Sequence, residues 1–500
     1  MKLKQHLADR DIVELRAFAR NQGLIIENHV AEGSFASELA REMLNPEHVR
    51  EVWEDLSPQA REALAYLLQD VKGVPTLAFE RRFGEIRRIG PGSLQQDQPW
   101  KHPQGAGEEL WWLGWLARSF REIDDEMVEF ISIPEDLRPL LPVDVQNPAE
   151  MPFPKPVPAP KVERSLGQML LDDLGTLLGF VQTHPVKLRA DGRWRYGDLK
   201  KLQSRLRLSS IRKQPLEAGG PLHLIFFAAK QMGLIVERGG FQRFGQALRP
   251  WLEKSREEQM ASLFHTWREA ETWNDLCLTP GLRCQEGAWT NHPRLAREAL
   301  LEQLQRAEPG AWYDLDDFVG MIYESMPDFQ RPDANYDTWY IQNAAGDFLR
   351  GFEHWPAVEG AMIRYIWQGP LFWLGAVALD ESGHRWRLTS QGHGFFHGVE
   401  PVGQPDAPVL EISKDFTITL RPHIGLWDRL RVELFTFWQA SEPVYRYQIT
   451  QRGLKRARRR GVSAQRVLAF LEQASGGNVP DNVRRSLERF SSFSPPRRRS

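Results

Sequence analysis

Cysteine is almost absent: Cys277 and Cys284, in CLTPGLRC, are the only two in 500 residues. Their spacing fits neither a CxxC redox pair nor half of a zinc site, and a disulfide framework is excluded. A reducing, intracellular compartment is therefore expected, cytoplasmic and nucleoid-associated if the source is bacterial. Long apolar runs are also missing. None approaches the roughly eighteen residues of a membrane span, so no membrane partner is expected. The N-terminal MKLKQHLADRDIVELRAF is charged and periodic and has no signal-peptide centre. No GxxxxGK[ST] loop occurs, and no GxGxxG follows a strand pattern. The glycine-rich ERGGFQRFGQ and SQGHGFFHG lack the lysine and helix entry of a phosphate cradle. His393 and His397 have helical spacing, but Gly394 and a turn context argue against a helix there, and no third ligand stands near. Asp124-Asp125 and Asp316-Asp317 read as charges at helix N-termini. No catalytic residue, metal, cofactor or small-molecule substrate is expected.

What is present points to a folded, multi-domain chain. Hydrophobic content of 41% with 26% charge is globular rather than disordered. The length suggests roughly three or four domains, and eighteen tryptophans supply large core side chains. NPAEMPFPKPVPAPKVE, with six prolines, reads as an extended, semi-rigid spacer. HGVEPVGQPDAP marks a second boundary, and periodicity pauses near Gly281 to His292. The layout expected is an N-terminal domain over 1–145, a linker over 146–163, domains over 164–290, 291–400 and 406–490, and a basic flexible tail over 491–500.

Within these blocks one plan recurs: two helices, then a short β segment with a polar glycine turn. Ser57-Pro58 looks like an N-cap followed by a first-turn proline. HPVKLRADGRWRYGDLKKL reads as strand, Asp191-Gly192 turn, then helix. HRWRLTSQGHGFF reads as a strand through Arg387 and Leu388 that turns over Thr389 to Gly392, and YRYQITQRGLKRA as strand, turn at Gly453, then helix. This is the winged-helix order, built on helix-turn-helix. The fold expected is α+β, predominantly helical, with tandem winged-helix-like units. Such units also serve as protein contacts.

Charge is distributed unevenly. From Arg446 to Ser500 fourteen Lys and Arg stand against three acids, giving +11, so the rest must sum to −13 to reach the total of −2. Such polarity points to an anionic partner for one end of the chain. Six basic residues lie between Arg452 and Arg460. At about 100° per residue, Lys455, Arg456, Arg459 and Arg460 form one cationic face, with Leu454 and Ala457 inward. Gly461 suits a left-handed helix cap and Ser463 the N-cap of the next helix, whose inner positions are Val467, Leu468 and Leu471. That helix presents Gln465, Arg466, Ala469, Glu472 and Gln473, a mixed set poorly suited to base reading. Arg484, Arg485 and Arg489 add a second patch on a final amphipathic helix. Arg452, Lys455, Arg456, Arg459, Arg460, Gln465, Arg466, Arg484, Arg485 and Arg489 are the expected nucleic-acid contacts, mostly to phosphate. A solvated basic face, or a patch for an acidic protein, is the alternative.

Three segments of this block carry a family resemblance: the strand DFTITL, the YRYQIT-x-x-x-L-x-x-A-x-x-x-G run, and LEQASGGNVPDNV. Residues 409–490 resemble the N-terminal, damage-recognition-type domain of XPB-like helicases. With FEHWPAVEGAMIRYIWQGPLFWLGAV and RWRLTSQG upstream, the chain is similar to bacterial helicase-associated proteins carrying that domain. The resemblance implies association with DNA, duplex or forked, in repair or transcription, and a helicase motor or nuclease as protein partner. It does not imply unwinding, because no nucleotide-binding motif is present. Asp415 keeps the family's acidic position, whereas Arg421 replaces an acidic or polar one and departs from the family's ligand contacts. Overall the expectation is a non-enzymatic DNA-binding protein, with a protein scaffold as its rival.

Overall fold

The computed structural model describes residues 1–26, 32–123, 126–142, 152–208, 219–285, 287, 289–398, 408–421 and 424–492. The chain is α+β and predominantly helical, with small antiparallel sheets. It divides into two compact units. Unit 1 holds Met1–Pro152, Ser325–Trp339 and Arg350–Phe352; unit 2 holds Phe153–Glu324, Tyr340–Leu349 and Glu353–Ser500.

Unit 1 runs α1 (Leu3–Ala8), α2 (Ile12–Asn21), α3 (Glu32–Met43), α4 (Pro46–Asp55), α5 (Pro58–Leu68), β1 (Val74–Pro75), α6 (Thr76–Phe83), α7 (Pro91–Asp97), α8 (Ala106–Trp112), β2 (Ala117–Ile123) and β3 (Glu126–Ser132). Ser57 caps α5 by accepting from the Ala60 N–H, with Pro58 in the first turn, as its sequence predicts. Leu64, Leu67, Phe79, Leu110, Trp112 and Ile131 meet in one apolar core. Asp124 and Asp125 lie outside the described residues. The segment Ser325–Trp339 is held in this unit by Arg81, which pairs with Asp328 at 2.5 Å and lies over the Tyr336 and Phe352 rings.

Unit 2 begins with the proline-rich segment, which is anchored where a spacer was expected. Phe153 packs edge-on against Tyr313, and the Val157 N–H donates to the Trp312 carbonyl at 2.7 Å. Then follow β4 (Glu163–Arg164), α9 (Met169–Thr183), α10 (Tyr196–Gln203), α11 (Pro221–Gln231), β5 (Ile235–Arg238), β6 (Phe241–Phe244), α12 (Leu248–Leu252), α13 (Arg256–Arg268), α14 (Asp275–Leu278) and β7 (Arg283–Cys284). Next come α15 (Pro293–Leu304), β8 (Tyr313–Asp314), α16 (Leu315–Ser325), β9 (Ile341–Gln342), α17 (Trp355–Ile366), β10 (Val377–Asp380), β11 (Arg385–Leu388) and α18 (Ser390–His397). Asp316 and Asp317 do sit in the first turn of α16. The last block is β12 (Leu410–Ile412), β13 (Thr417–Leu420), α19 (Leu426–Phe435), β14 (Thr436–Ala440), β15 (Arg446–Ile449), α20 (Gln451–Arg459), α21 (Ala464–Ala474) and α22 (Asp481–Ser492). Most of HGVEPVGQPDAP, and the tail from residue 493, lie outside the described residues.

Among the described residues one order of elements occurs three times: helix, short β, helix, helix, hairpin. It is α5-β1-α6-α8-β2-β3 with α7 inserted, α9-(Lys187, Leu188)-α10-α11-β5-β6, and α15-β8-α16-α17-β10-β11 with β9 inserted. Each time the short β segment pairs with the second hairpin strand, as in Val74↔Ile131, Lys187↔Phe241 and Tyr313↔Trp386.

Three local expectations fail, the first two where another element presses close against a glycine. Ser390–His397 is a helix capped by Thr389, not a turn, and His393 and His397 stack with ring centroids 4.2 Å apart. Gly392 is needed there because a Cβ would collide with the Ala376 carbonyl. Among the described residues no group of three metal-type ligands forms. Gly453 lies inside α20 rather than in a turn before it, since a Cβ would collide with the Phe435 carbonyl. Finally, Cys277 and Cys284 are disulfide-bonded, not reduced thiols: the turn through Pro280 and Gly281 (φ +89°) brings their Cα atoms to 5.4 Å. The reducing-compartment expectation loses its basis in cysteine usage; no described helix is long and apolar enough to cross a membrane. A loop this short constrains the unfolded chain by about 2 kcal/mol. Thermal unfolding with a reductant should therefore show a lower midpoint than without. An unchanged midpoint would mean that Asn274 and Asp275 hold the turn unaided.

The second and last blocks, expected as separate domains, are docked together within unit 2. Gly175 and Gly179 let α9 approach α19, where a Cβ at Gly179 would overlap the Glu433 carboxylate. Arg256 joins Asp172 at 2.7 Å and the Ile424 carbonyl at 2.8 Å. Asp173 is fully buried and accepts from the Arg207 and Leu208 N–H groups at 2.8 and 3.0 Å. Burial outweighs these bonds and pushes its carboxyl up to about 7 from 3.8. The folded state thus holds this proton more tightly than the unfolded one. Its stabilising contribution is complete below about pH 3.8 and is lost as pH rises through about 7. Wild type minus Asp173→Asn, followed by urea unfolding between these pH values, should fall with rising pH; a flat difference contradicts the assignment.

Candidate nucleic-acid interface

The basic run folds where its punctuation predicts. Thr450 caps α20 by accepting from the Gly453 N–H, and Leu454 and Ala457 face inward. Gly461 (φ +81°) ends the helix, with the Val462 N–H reaching back to the Ala457 carbonyl. Ser463 caps α21, which buries Val467, Phe470 and Leu471.

The cations of α20 do not share one fate. Arg456 is half-buried, and its donors go to carbonyls at the end of α19: Leu434 at 2.9 Å, Glu433 at 2.7 Å and Thr436 at 2.6 Å. It satisfies carbonyls that the helix leaves unpaired. Burial, followed by the neighbouring Arg460, lowers it to about 10. This guanidinium holds α20 against α19. Arg460 donates to the Gln182 carbonyl at 2.5 Å, and burial and then Arg243 pull it below its ordinary value. Arg452, Lys455 and Arg459 are exposed.

Arg452, Arg456 and Arg459, spaced i, i+4, i+7, line one side of a cleft of about 280 Å³. The rest of its lining is Thr183 at the end of α9, His184 and Pro185 just after it, Arg205 just beyond α10, and Glu433, Thr436, Phe437, Trp438 and Tyr447. The Arg205 guanidinium lies 5.0 Å from the Phe180 centroid and 5.1 Å from that of Trp438. It donates toward His184 Nε2 at 3.3 Å. A guanidinium can only donate, so Nε2 is the acceptor and the ring proton sits on Nδ1, beside Thr183 Oγ1 and the Phe180 carbonyl. Burial and then Arg205 push His184 down to about 4, so the ring is neutral at neutral pH. Glu433, the one carboxylate of the lining, accepts from the Tyr447 hydroxyl at 2.7 Å and from Arg429 at 3.3 Å. Its charge is already matched. The cleft therefore offers guanidiniums and aromatic faces, Phe437 among them at 37% exposure, to a phosphate with an attached planar group.

The remaining expected contacts lie elsewhere. Lys455, Gln465, Arg466, Arg484, Arg485 and Arg489 do not line the cleft, and Arg484 is paired with Glu472. His184, Arg205, Phe437 and Trp438 escape the sequence pattern, although a signal for Arg205 existed. Residues 187–208 carry eight Lys and Arg against two acids, diluted in a chain that is nearly neutral.

The third helix of each repeated unit is interior. In α8 Glu108, Leu110, Trp111 and Trp112 are buried; in α11 Leu222, Leu224, Ile225 and Phe226; in α17 Val358, Met362, Ile363 and Ile366. None has the polar outer face that groove entry needs. No protein-family model matches the chain, and no curated protein matches it.

Proposed function

We propose that this chain is a non-enzymatic DNA-binding protein of repair or transcription type, directed mainly at the phosphate backbone. In this reading the three repeats are tandem winged-helix-like units, and residues 409–490 are a helicase-associated domain of the XPB-like kind. The observation that carries it is the arginine stripe of α20 sharing one cleft with Arg205, which itself rests on Phe180 and Trp438. Planar cations held on aromatic faces suit phosphate esters, and phosphate contacts position a protein without reading sequence. The mixed outer face of α21 supports the same weighting.

The interior third helices favour a second reading for the repeats alone: they act as framework or protein contacts, with a separate helicase motor or nuclease as the partner class. Fluorescence anisotropy with short duplex, forked and single-stranded DNA across salt separates the two. Three phosphate contacts, from Arg205, Arg452 and Arg459, give a duplex slope of log K against log salt near −2.7. No binding, or binding indifferent to salt, would leave only the scaffold reading.

A further inference from the structure

A second basic surface adjoins the cleft, on the α9–α10 connection and on α10, beside the β5-β6 hairpin. Lys187, Arg189, Arg195, Lys200 and Lys201 are all exposed there. Tyr196 opens α10 with 76% of its surface exposed, while its neighbour Trp194 is buried. The Tyr196 and Lys200 positions are four apart on α10 and share a face. Asp191 and Asp198, the two acids between residues 187 and 201, are taken up by Arg189 at 3.1 Å and Lys201 at 3.8 Å, and Glu237 of β5 adds one exposed carboxylate beside Gly192. The surface adjoins the cleft through the chain itself: Pro185 and Arg205 both line the cleft, two residues before Lys187 and four after Lys201. The β5-β6 hairpin is joined to it by the bridge between Lys187 and Phe241.

An exposed tyrosine set among cations offers an aromatic face beside phosphate-binding charge, which suits a strand whose bases are unpaired. Every base presents a face for stacking, whereas duplex bases are already stacked on one another. Resting on the DNA-binding reading above, we infer that a single DNA strand leaves the cleft across this surface, its backbone along Lys187 and Lys200 and a base on Tyr196. The surface thereby gives the chain a preference for single-stranded or forked DNA over plain duplex.

The test uses the full chain, with a thymidine oligomer and a matched duplex compared by anisotropy. Tyr196→Leu should weaken the single strand roughly tenfold and leave the duplex unchanged, and Tyr196→Trp should restore wild-type binding. Lys200→Gln should lower the single-strand salt slope by about 0.7. Tyr196 is so exposed that neither substitution threatens folding. If Tyr196→Leu binds both DNAs as wild type does while Arg452→Gln weakens both, the track ends at the cleft and the inference is overturned. If wild type binds neither DNA, the underlying reading fails and this one with it.

Discussion

Replacing Arg429 with methionine is expected to cost unit 2 roughly 3–5 kcal/mol of stability. The guanidinium is 1% exposed. It donates to the Asp172 carbonyl at 2.7 Å, Thr176 Oγ1 at 2.6 Å, the Tyr447 hydroxyl at 3.1 Å and Glu433 Oε1 at 3.3 Å. It also lies 3.8 Å from the Tyr445 ring centroid. Methionine fills the space but leaves Glu433 buried with Tyr447 alone, and Thr176 Oγ1 loses its donor, while the Asp172 carbonyl keeps only the Thr176 hydroxyl at 3.1 Å. Removing one partner of a buried pair costs far more than the pair contributes, because an uncompensated charge remains. Urea unfolding should show the loss as a lower midpoint, and α20 should loosen with α19. A midpoint within about 0.5 kcal/mol of wild type would mean that apolar contacts alone dock the last block.

The double substitution Arg452→Gln, Arg459→Gln is expected to weaken DNA binding at least tenfold without lowering stability. Both side chains are exposed, and α20 is fixed by Leu454, Ala457 and Arg456 rather than by them. Glutamine keeps the helix propensity and removes the charge. Arg456→Gln should behave in the opposite way. Three carbonyls at the end of α19 lose their donor, so stability falls first and binding only as a consequence. Thermal midpoints measured beside affinities separate the two classes.

That division among neighbouring arginines explains how far the sequence could be read. The stripe of α20, its inner face, Gly461 and Ser463 depend on residues within two helical turns, and such patterns are visible in a string. Arg456 looks like its neighbours because its acceptors lie 20 to 23 residues earlier. Gly453 and Gly392 read as turns because glycine disfavours helix interiors; each stands in a helix because a carbonyl from another element presses against it. Arg205 meets α20 across more than two hundred residues, and no local rule joins them. A pair of helices followed by a short β segment is legible in each repeat, but the extra β segment between the first two helices, the third helix and its interior position are not. Burial of α11 depends on what packs round it, and periodicity registers only one apolar face.

The most direct test of the phosphate clamp is the salt dependence of duplex binding, measured for wild type and for Arg452→Gln, Arg459→Gln. With two of three phosphate contacts removed, the slope of log K against log salt should fall from about −2.7 to about −0.9. Equal slopes in the two proteins, whatever their affinities, would contradict the assignment of the α20 cleft as the site of backbone contact.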